Sequence, residues 1–244
     1  MKTYKLSENS QDFTLSQAKD FIKENDYMPV SRKIIGEAEG GKILDLGCNI
    51  GNFSSALAKK YPHADIVGVD NVDCMIETAQ ALYGSMPNLT FRAMSAAELN
   101  FSDNEFDCVC FLEVIEHLDD PVRAIKEIRR VLKPGGKLIL STNNVYYSRF
   151  LFRQFVYDLF KRKPKLMIHI NEKWGSHIFA WDISTLCTLL KHQGFDYLSH
   201  FYTGSSGFYI GKTIFDRMLD NIFARIIPMS RATVVVKLIK SCNN

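Results

Sequence analysis

A short apolar run followed at once by a glycine-bearing turn constrains this chain more than any other feature. Lys42–Leu46 forms the apolar run, Gly47 and Gly51 lie in the turn, and apolar residues at helical spacing begin at Phe53. A strand, a glycine turn and a helix in this order bring backbone against a ligand at the helix N-terminus. The stretch therefore predicts a ligand site of the nucleotide-binding kind at the end of the first strand.

Apolar runs and helical patterns alternate along most of the remaining sequence. The predicted strands span residues 42–46, 64–70, 89–94, 105–112, 137–142, 195–202 and 233–238. The predicted helices span residues 52–60, 73–83, 121–132 and 182–193. Such alternation favours a doubly wound α/β sheet with right-handed crossovers. We therefore predict a mostly parallel, seven-stranded sheet with helices on both faces.

Composition and charge set few limits on function. The net charge of +3 and the isoelectric point of about 8.4 are too small to predict a nucleic-acid partner. The six cysteines include no Cys-x-x-Cys pair, which favours reduced thiols over a zinc site. The N-terminal residues lack an apolar segment, and no apolar run approaches the roughly 20 residues that span a bilayer. A cytoplasmic protein is the expectation.

The spacing of the turn residues separates the candidate ligands. A dinucleotide fingerprint needs glycine at the first, third and sixth positions, but counting from Gly47 the chain has Asn49 and Asn52 there. No Gly-Lys-Ser/Thr sequence follows the turn, which excludes a phosphate-binding P-loop. A pyrophosphate ligand is therefore disfavoured.

The turn resembles motif I of the class I S-adenosylmethionine-dependent methyltransferases. The motif here is Asp45-Leu46-Gly47-Cys48-Asn49-Ile50-Gly51, with Asn49 in place of a usual middle glycine. The resemblance continues, over residues 42–143, through Asp70, Phe106-Asp107, Glu113–Leu118 and Val131–Gly136. It implies a Rossmann-like fold, S-adenosylmethionine as cofactor and methyl transfer as the activity.

The resemblance also assigns contacts with the cofactor. Gly47 and Gly51 leave room for its methionyl part, Asp45 neutralises its ammonium group directly or through water, and Asp70 accepts hydrogen bonds from the ribose hydroxyls. Asn71 and Met75 flank the adenine, and Ser95 and Ala96 meet its edge. The predicted cofactor-binding residues are Asp45, Gly47, Cys48, Asn49, Gly51, Asp70, Asn71, Met75, Ser95, Ala96 and Glu113.

A Glu-x-x-Glu-His sequence follows the fourth predicted strand. Glu113, Glu116 and His117 share one face if residues 114–118 form a helical turn. Together with His177 they resemble the magnesium site of small-RNA 2′-O-methyltransferases, and the Glu-His part resembles ubiquinone-pathway O-methyltransferases. The predicted metal ligands are Glu113, Glu116, His117 and His177.

The same residues have interpretations that need no metal. Predicted catalytic residues are His117, His177 and Glu116, because a histidine there can act as general base or orient the acceptor. A purely structural role is the third interpretation, in which the acid caps a helix and the histidine packs beneath the cofactor. The sequence leaves the three open.

Two stretches, 144–180 and 204–230, interrupt the alternation and are predicted to form a helical cap. The first contains a basic, aromatic-rich segment at 149–165. Such a segment suits either a lid over the site or a peripheral contact with an anionic membrane, at its inner face, and both stay open. A single domain of residues 1–244 thus divides into N-terminal helices 1–41, a cofactor-binding half 42–143 and this cap.

The predicted function is methyl transfer from S-adenosylmethionine to an oxygen of a small molecule, a saccharide or a lipid-linked acceptor. Direct in-line displacement needs no covalent enzyme intermediate, because the sulfonium methyl is already activated. An RNA 2′-O-methyltransferase is the alternative enzyme, but the low net charge argues against nucleic acid. A non-catalytic adaptor that binds S-adenosylmethionine is the alternative outside enzymes.

Overall fold

The computed structural model describes residues 33–146, 170–171, 175–176, 179–203 and 233–242. Its strands are β1 (Lys42–Leu46), β2 (Asp65–Asp70), β3 (Leu89–Ala93), β4 (Phe106–Leu112), β5 (Leu132–Asn143), β6 (Ile170–Asn171), β7 (Gly175–Ser176), β8 (Phe195–Thr203) and β9 (Thr233–Lys240). The described helices are α1 (Asn52–Lys60), α2 (Asp73–Tyr83), α3 (Pro121–Val131) and α4 (Ile183–His192), and a 3₁₀ turn covers Ile115–His117.

Seven of the described strands form one sheet in the order β3-β2-β1-β4-β5-β9-β8. The pairs from β3 through β5 are parallel, whereas β9 runs antiparallel to both β5 and β8. Strand order reverses between β1 and β4, and ligands of open α/β sheets bind at the carboxyl ends of the strands at such a reversal. The predicted fold class, a mostly parallel seven-stranded α/β sheet, is confirmed.

Apolar residues cover both faces of the central strands. Leu44 and Leu46 of β1 join a core on one face, while Ile43 joins a core on the other. β4 is apolar almost throughout, and the residues from Cys108 to Phe111 are fully buried. A parallel strand covered by helices on both sides has this composition, so the run predicted as a buried strand is one.

Two helices begin at aspartate caps that the sequence encodes locally. The Asp120 carboxylate accepts a hydrogen bond from the Arg123 amide at 3.0 Å, with Pro121 as the first residue of α3. Asp182 accepts from the Ser184 amide at 2.9 Å at the start of α4. The caps fix where both helices start, close to the predicted bounds.

β5 begins earlier than predicted. The sequence predicts a helix stop at Lys133–Gly136 and a strand only from Lys137, whereas β5 already starts at Leu132, which pairs with Phe106. The register then shifts, and Gly135 has a φ of 72°. Glycine permits this irregular start, because it enters the left-handed region without a Cβ penalty.

Part of the predicted organisation lies outside the described residues. The N-terminal segment 1–41 is described from residue 33, and residues 33–35 are helical. Of the predicted cap, the described pieces include β6, which pairs antiparallel with β7. No helix in the described ranges has the length and apolar composition needed to cross a membrane.

Candidate functional site

The loop between β1 and α1, residues 47–51, is here called the glycine loop. All five of its amides donate hydrogen bonds within the protein. The bonds run from Gly47 and Cys48 to the Val69 carbonyl at 2.7 and 2.9 Å, from Asn49 to Asp70 Oδ2 at 2.9 Å, from Ile50 to Asn49 Oδ1 at 2.7 Å, and from Gly51 to the Cys48 carbonyl at 2.9 Å. The loop therefore presents no row of open amides to a phosphate.

Two glycines of this loop have backbone angles and contacts that exclude a side chain. Gly47 has a φ of 85°, and a Cβ atom there would overlap Val114 Cγ2. Gly51 has a φ of 80°, and a Cβ atom there would lie 2.6 Å from Phe91 Cζ. Asn49 also has a positive φ, 51°, which asparagine tolerates better than most residues. The substitution of Asn49 for a glycine thus fits the loop.

Asp45 lies beneath the loop and is 3% exposed. The Ser54 hydroxyl of α1 donates a hydrogen bond to Asp45 Oδ2. Burial raises the pKa of Asp45 to about 7, although the Ser54 hydrogen bond opposes the shift. The placement favours the indirect form of the predicted role, in which Asp45 supports the loop and reaches a ligand only through another group.

Asp70 ends β2 and is half-buried beside the loop. Its carboxylate accepts the Asn49 amide at 2.9 Å and the Val72 amide at 3.1 Å. Burial raises the pKa of Asp70 above its ordinary value, while these backbone hydrogen bonds oppose the rise. Both oxygens keep lone pairs for further donors, as a pair of ribose hydroxyls would require.

The other predicted cofactor residues surround the end of β2. Met75 is buried at the start of α2, and Asn71 is exposed. Ser95 and Ala96 follow β3 in a turn that the Met94 amide joins to the Asp70 carbonyl at 2.9 Å. Cys48 is also buried, and this burial raises the pKa of its thiol. The structure thus brings the predicted residues of β2, β3 and the glycine loop together.

Residues 113–118, here called the Glu-His turn, follow β4 and contain the 3₁₀ segment. Glu113 has a φ of 56°, its amide donates to the Ser141 carbonyl at 3.0 Å, and its carboxylate accepts the Ser141 hydroxyl at 2.8 Å. Burial raises the pKa of Glu113 to about 7. The turn is therefore fixed to β5 at its first residue.

Glu116 of the Glu-His turn is completely buried, with 0% exposure. Its Oε2 accepts the Thr142 hydroxyl at 3.0 Å, and its Oε1 accepts the Asn143 amide at 3.2 Å. Burial first, and the nearby Glu113 second, raise the pKa of Glu116 well above its ordinary value. Such a group lacks the access to an acceptor that the predicted catalytic role requires.

The chemistry of these groups indicates the charge of the ligand. Carboxyl groups stand at or beside the carboxyl ends of three adjacent strands, as Asp70 of β2, Asp45 of β1 and Glu113 after β4. Because the amides of the glycine loop are already bonded, an anionic phosphate has no cradle here. The site fits a ligand with ribose hydroxyls and positive groups, as S-adenosylmethionine has in its sulfonium and ammonium.

A family comparison agrees with this site. Residues 44–140 match the model of a methyltransferase domain. This region is similar to a methyltransferase domain and is called the methyltransferase domain below. The match begins in β1 and ends in β5, so the methyltransferase domain includes both the glycine loop and the Glu-His turn.

Relatives and solved structures extend the comparison. The ubiquinone biosynthesis O-methyltransferase of Alkalilimnicola ehrlichii is 34% identical over 120 residues, 48% of this chain and 48% of that protein. The demethylmenaquinone methyltransferase of Staphylococcus aureus is 36% identical over 108 residues, 44% of this chain and 45% of that protein. The chain thus spans about half the length of these curated relatives.

A solved structure supports the fold of the methyltransferase domain. Haemonchus contortus phosphoethanolamine N-methyltransferase 2, in complex with S-adenosyl-L-methionine, aligns with 93% of this chain and 57% of its own. The TM-score is 0.65 at 15% sequence identity. At this identity the likeness shows the fold alone.

The metal prediction gains no support from the methyltransferase domain. Among the described ranges, no group of three His, Cys, Asp or Glu side chains could hold a metal ion. Glu113, Glu116 and His117 therefore do not form the predicted metal site by themselves. Glu113 bonds to Ser141, and the buried Glu116 bonds to Thr142 and Asn143 at the end of β5. His177, the fourth predicted ligand and a predicted base, lies outside the described residues.

Three supporting residues were not predicted from the sequence. Ser54 bonds Asp45 from nine positions away, Val114 fills the space beside Gly47, and Thr142 bonds Glu116. The sequence signal for Ser54 is weak, since a serine in the first turn of a helix is common. Thr142 lies near the end of β5, and the sequence does not identify Glu116 as its partner.

Proposed function

We propose that this chain transfers a methyl group from S-adenosylmethionine to an oxygen of a small-molecule acceptor. The cofactor supplies an activated sulfonium methyl that an acceptor oxygen displaces in line. The methyltransferase domain supports the reaction class, and the similarity to a ubiquinone biosynthesis O-methyltransferase supports oxygen in a small molecule. Hydroxylated aromatic compounds are the first acceptors to test.

One contact carries the proposal. The side chain of Val114 packs against Gly47, so the Glu-His turn lies directly on the glycine loop. An acceptor held at the turn is then adjacent to a methyl donor held at the loop. Proximity of this kind replaces a bimolecular encounter by an oriented one, which is the main requirement of direct transfer.

We assign the donor-side residues roles that their positions support. Asp70, fixed by two backbone amides, accepts the ribose hydroxyls. Met75 and Asn71 flank the adenine, and the turn of Ser95 and Ala96 meets its edge. Gly47 and Gly51 hold the loop in its left-handed angles, while Cys48, Asn49 and Asp45 complete and support it.

The acceptor side needs a group that orients the hydroxyl and receives its proton. We assign this role to His117, which is half-buried at the end of the 3₁₀ segment with its amide bonded to the Val114 carbonyl at 2.9 Å. His177 is proposed as a second group with this role. Residues 144–180 and 204–230 are proposed as the cap that excludes water during transfer.

Labelled-methyl transfer tests the proposal. The chain is incubated with methyl-labelled S-adenosylmethionine and either a set of catechols and hydroquinones or a fractionated cell extract. We expect label in a small organic-soluble product and its loss in His117→Ala. Label in RNA would overturn the small-molecule assignment. Cofactor binding without transfer to any fraction would instead favour the adaptor.

A further inference from the structure

Glu116 joins three segments that are far apart in sequence. Its side chain accepts hydrogen bonds from Thr142 and Asn143 at the end of β5, at 3.0 and 3.2 Å. Its main-chain carbonyl accepts the Phe179 amide at 3.2 Å. The Glu-His turn, the end of β5 and the segment that leads into α4 therefore meet at one residue.

The surroundings of Glu116 do not balance a negative charge. Its side chain has no exposure to solvent, and no ion pair joins it to a lysine, arginine or histidine of the described part of the chain. The titratable groups of its own turn are Glu113 and His117, and the nearest carboxyl, Glu113, repels a negative charge. The end of β5 and residues 179–181 contribute no titratable side chain. Hydrogen bonds from Thr142, Asn143 and Phe179, and no ion pair among the described residues, therefore hold Glu116 in place.

We propose that Glu116 is a positioning residue, a clasp of hydrogen bonds that holds the Glu-His turn and the segment at residue 179 against the end of β5. His117 is the next residue, so the clasp sets where the imidazole lies relative to the glycine loop. The part of the inference that concerns transfer rests on the proposed function. The clasp itself does not, because it is a property of the protein alone.

Trp181 gives a readout of the clasp that needs no acceptor. Trp181 is 8% exposed, and its ring lies 5.6 Å from that of Phe179. It lies two positions after Phe179, whose amide donates to the Glu116 carbonyl. The chain has two tryptophans, so Trp174→Phe leaves Trp181 as the single emitter. Opening of the clasp is expected to shift its emission to longer wavelength.

The experiment compares Glu116→Gln and Glu116→Ala in the Trp174→Phe background at pH 7. Glu116→Gln, which can bond both partners, is expected to emit at the wavelength of the parent, and Glu116→Ala is expected to emit at longer wavelength. If Glu116→Gln is shifted as far as Glu116→Ala, or if Glu116→Ala emits like the parent, the proposal is overturned.

A second measurement links the clasp to transfer. Once a catechol or another acceptor is methylated, Glu116→Ala is expected to lower kcat about tenfold or more, with S-adenosylmethionine affinity changed little, because the imidazole is displaced. Glu116→Gln should recover most of that loss. If Glu116→Ala does not fold, Thr142→Val takes its place in the experiment, because this variant removes one hydrogen bond of the clasp. Failure to find any acceptor would count against the proposed function and leave the fluorescence result standing.

Discussion

The glycine loop and the Glu-His turn occupy equivalent places, each following a parallel strand at the centre of the sheet, yet they are held in different ways. Backbone groups of the loop itself and of the adjacent end of β2 take up most of the glycine loop's amides, with side-chain acceptors at Asn49 and Asp70. The Glu-His turn is held by side chains of β5 that follow it by about 26 positions. Main-chain acceptors thus hold most of the glycine loop, whereas matched side chains hold the Glu-His turn.

This difference separates the two kinds of residue that each region needs. Main-chain bonds tolerate many side chains but demand particular backbone angles, so the glycine loop requires glycine at positions 47 and 51. Side-chain bonds demand particular partners, so the Glu-His turn requires that Ser141, Thr142 and Asn143 match Glu113 and Glu116. We expect substitutions in the loop to act through backbone strain and those in the turn through lost hydrogen bonds.

Gly47→Ala is expected to have the largest effect. The left-handed angle costs an alanine about 1–2 kcal/mol, and overlap with Val114 adds about 1–3 kcal/mol. Chemical denaturation should show a loss of about 3 kcal/mol in the free energy of unfolding, and calorimetry should show no measurable S-adenosylmethionine binding.

Gly135→Ala is the matched control for Gly47→Ala. Gly135 has a φ of 72°, but a Cβ atom there would meet nothing within 4 Å. The free energy of unfolding of Gly135→Ala should fall only by the cost of the backbone angle, about 1–2 kcal/mol. The variant should bind the cofactor normally. Equal losses in the two variants would show that the contact with Val114 does not matter, and the link between loop and turn would then be broken.

Asp70→Asn comes next. The substitution keeps the size of the side chain but removes its negative charge. It also replaces one of the carboxylate oxygens that accept hydrogen bonds from backbone amides and, in the proposal, from the ribose hydroxyls. Hydrogen bonds to charged groups contribute about 1.5–3 kcal/mol, so we expect S-adenosylmethionine affinity to fall about 10- to 100-fold in calorimetry. Asp196→Asn, at an exposed aspartate of β8 that bonds Ser241, is the control. Unchanged affinity in Asp70→Asn would place the ribose elsewhere.

The same contrast explains how much of the molecule could be predicted from its sequence. β1, α1 and α2 have the predicted bounds, because apolar periodicity and glycine act over a few residues. The residues predicted to bind the cofactor near the glycine loop lie at or just after the ends of strands, and the parallel order of those strands brings them close together. Local signals were sufficient there.

The role of Glu116 and the start of β5 could not be predicted, because each depends on contacts with another segment of the chain. The pattern Glu113, Glu116, His117 is compatible with metal ligands, a general base or buried supports, and only the contacts of Glu116 with Thr142 and Asn143 favour the last for that residue. The irregular start of β5 at Leu132 is of the same kind, because its register depends on Phe106 in another strand. Periodicity along one segment does not encode the partner segment.

A pH dependence of stability is the third test, because each region contains a carboxyl with a raised pKa. Burial raises the pKa of Asp45 and of Glu113 to about 7 in the folded protein. Between about pH 4 and 7 the folded state therefore binds more protons than the unfolded state, and the free energy of unfolding falls as pH rises, by at most ~1.4 kcal/mol per pH unit for each carboxyl.

Asp45→Asn and Glu113→Gln divide this slope between the two regions. Each variant should show a shallower decline between pH 5 and pH 8 in urea denaturation than the parent protein. Glu98→Gln, at an exposed glutamate that lies 3.5 Å from Arg123, is the control and should keep the parent slope. A parent protein whose stability rises over this interval would contradict the burial of both carboxyls.

Thr142→Val should have the smallest effect and the most selective one. Valine keeps the shape of threonine but removes the hydroxyl that donates to Glu116, and a single hydrogen bond of this kind contributes about 1 kcal/mol to stability. Because the glycine loop makes no bond to Thr142, affinity for S-adenosylmethionine should stay within about twofold of the parent. Thr90→Val, at an exposed position on β3, controls for loss of a hydroxyl elsewhere in the sheet. If Thr142→Val weakens cofactor binding as strongly as Asp70→Asn does, the glycine loop and the Glu-His turn form one cooperative unit, and neither can be weakened without the other.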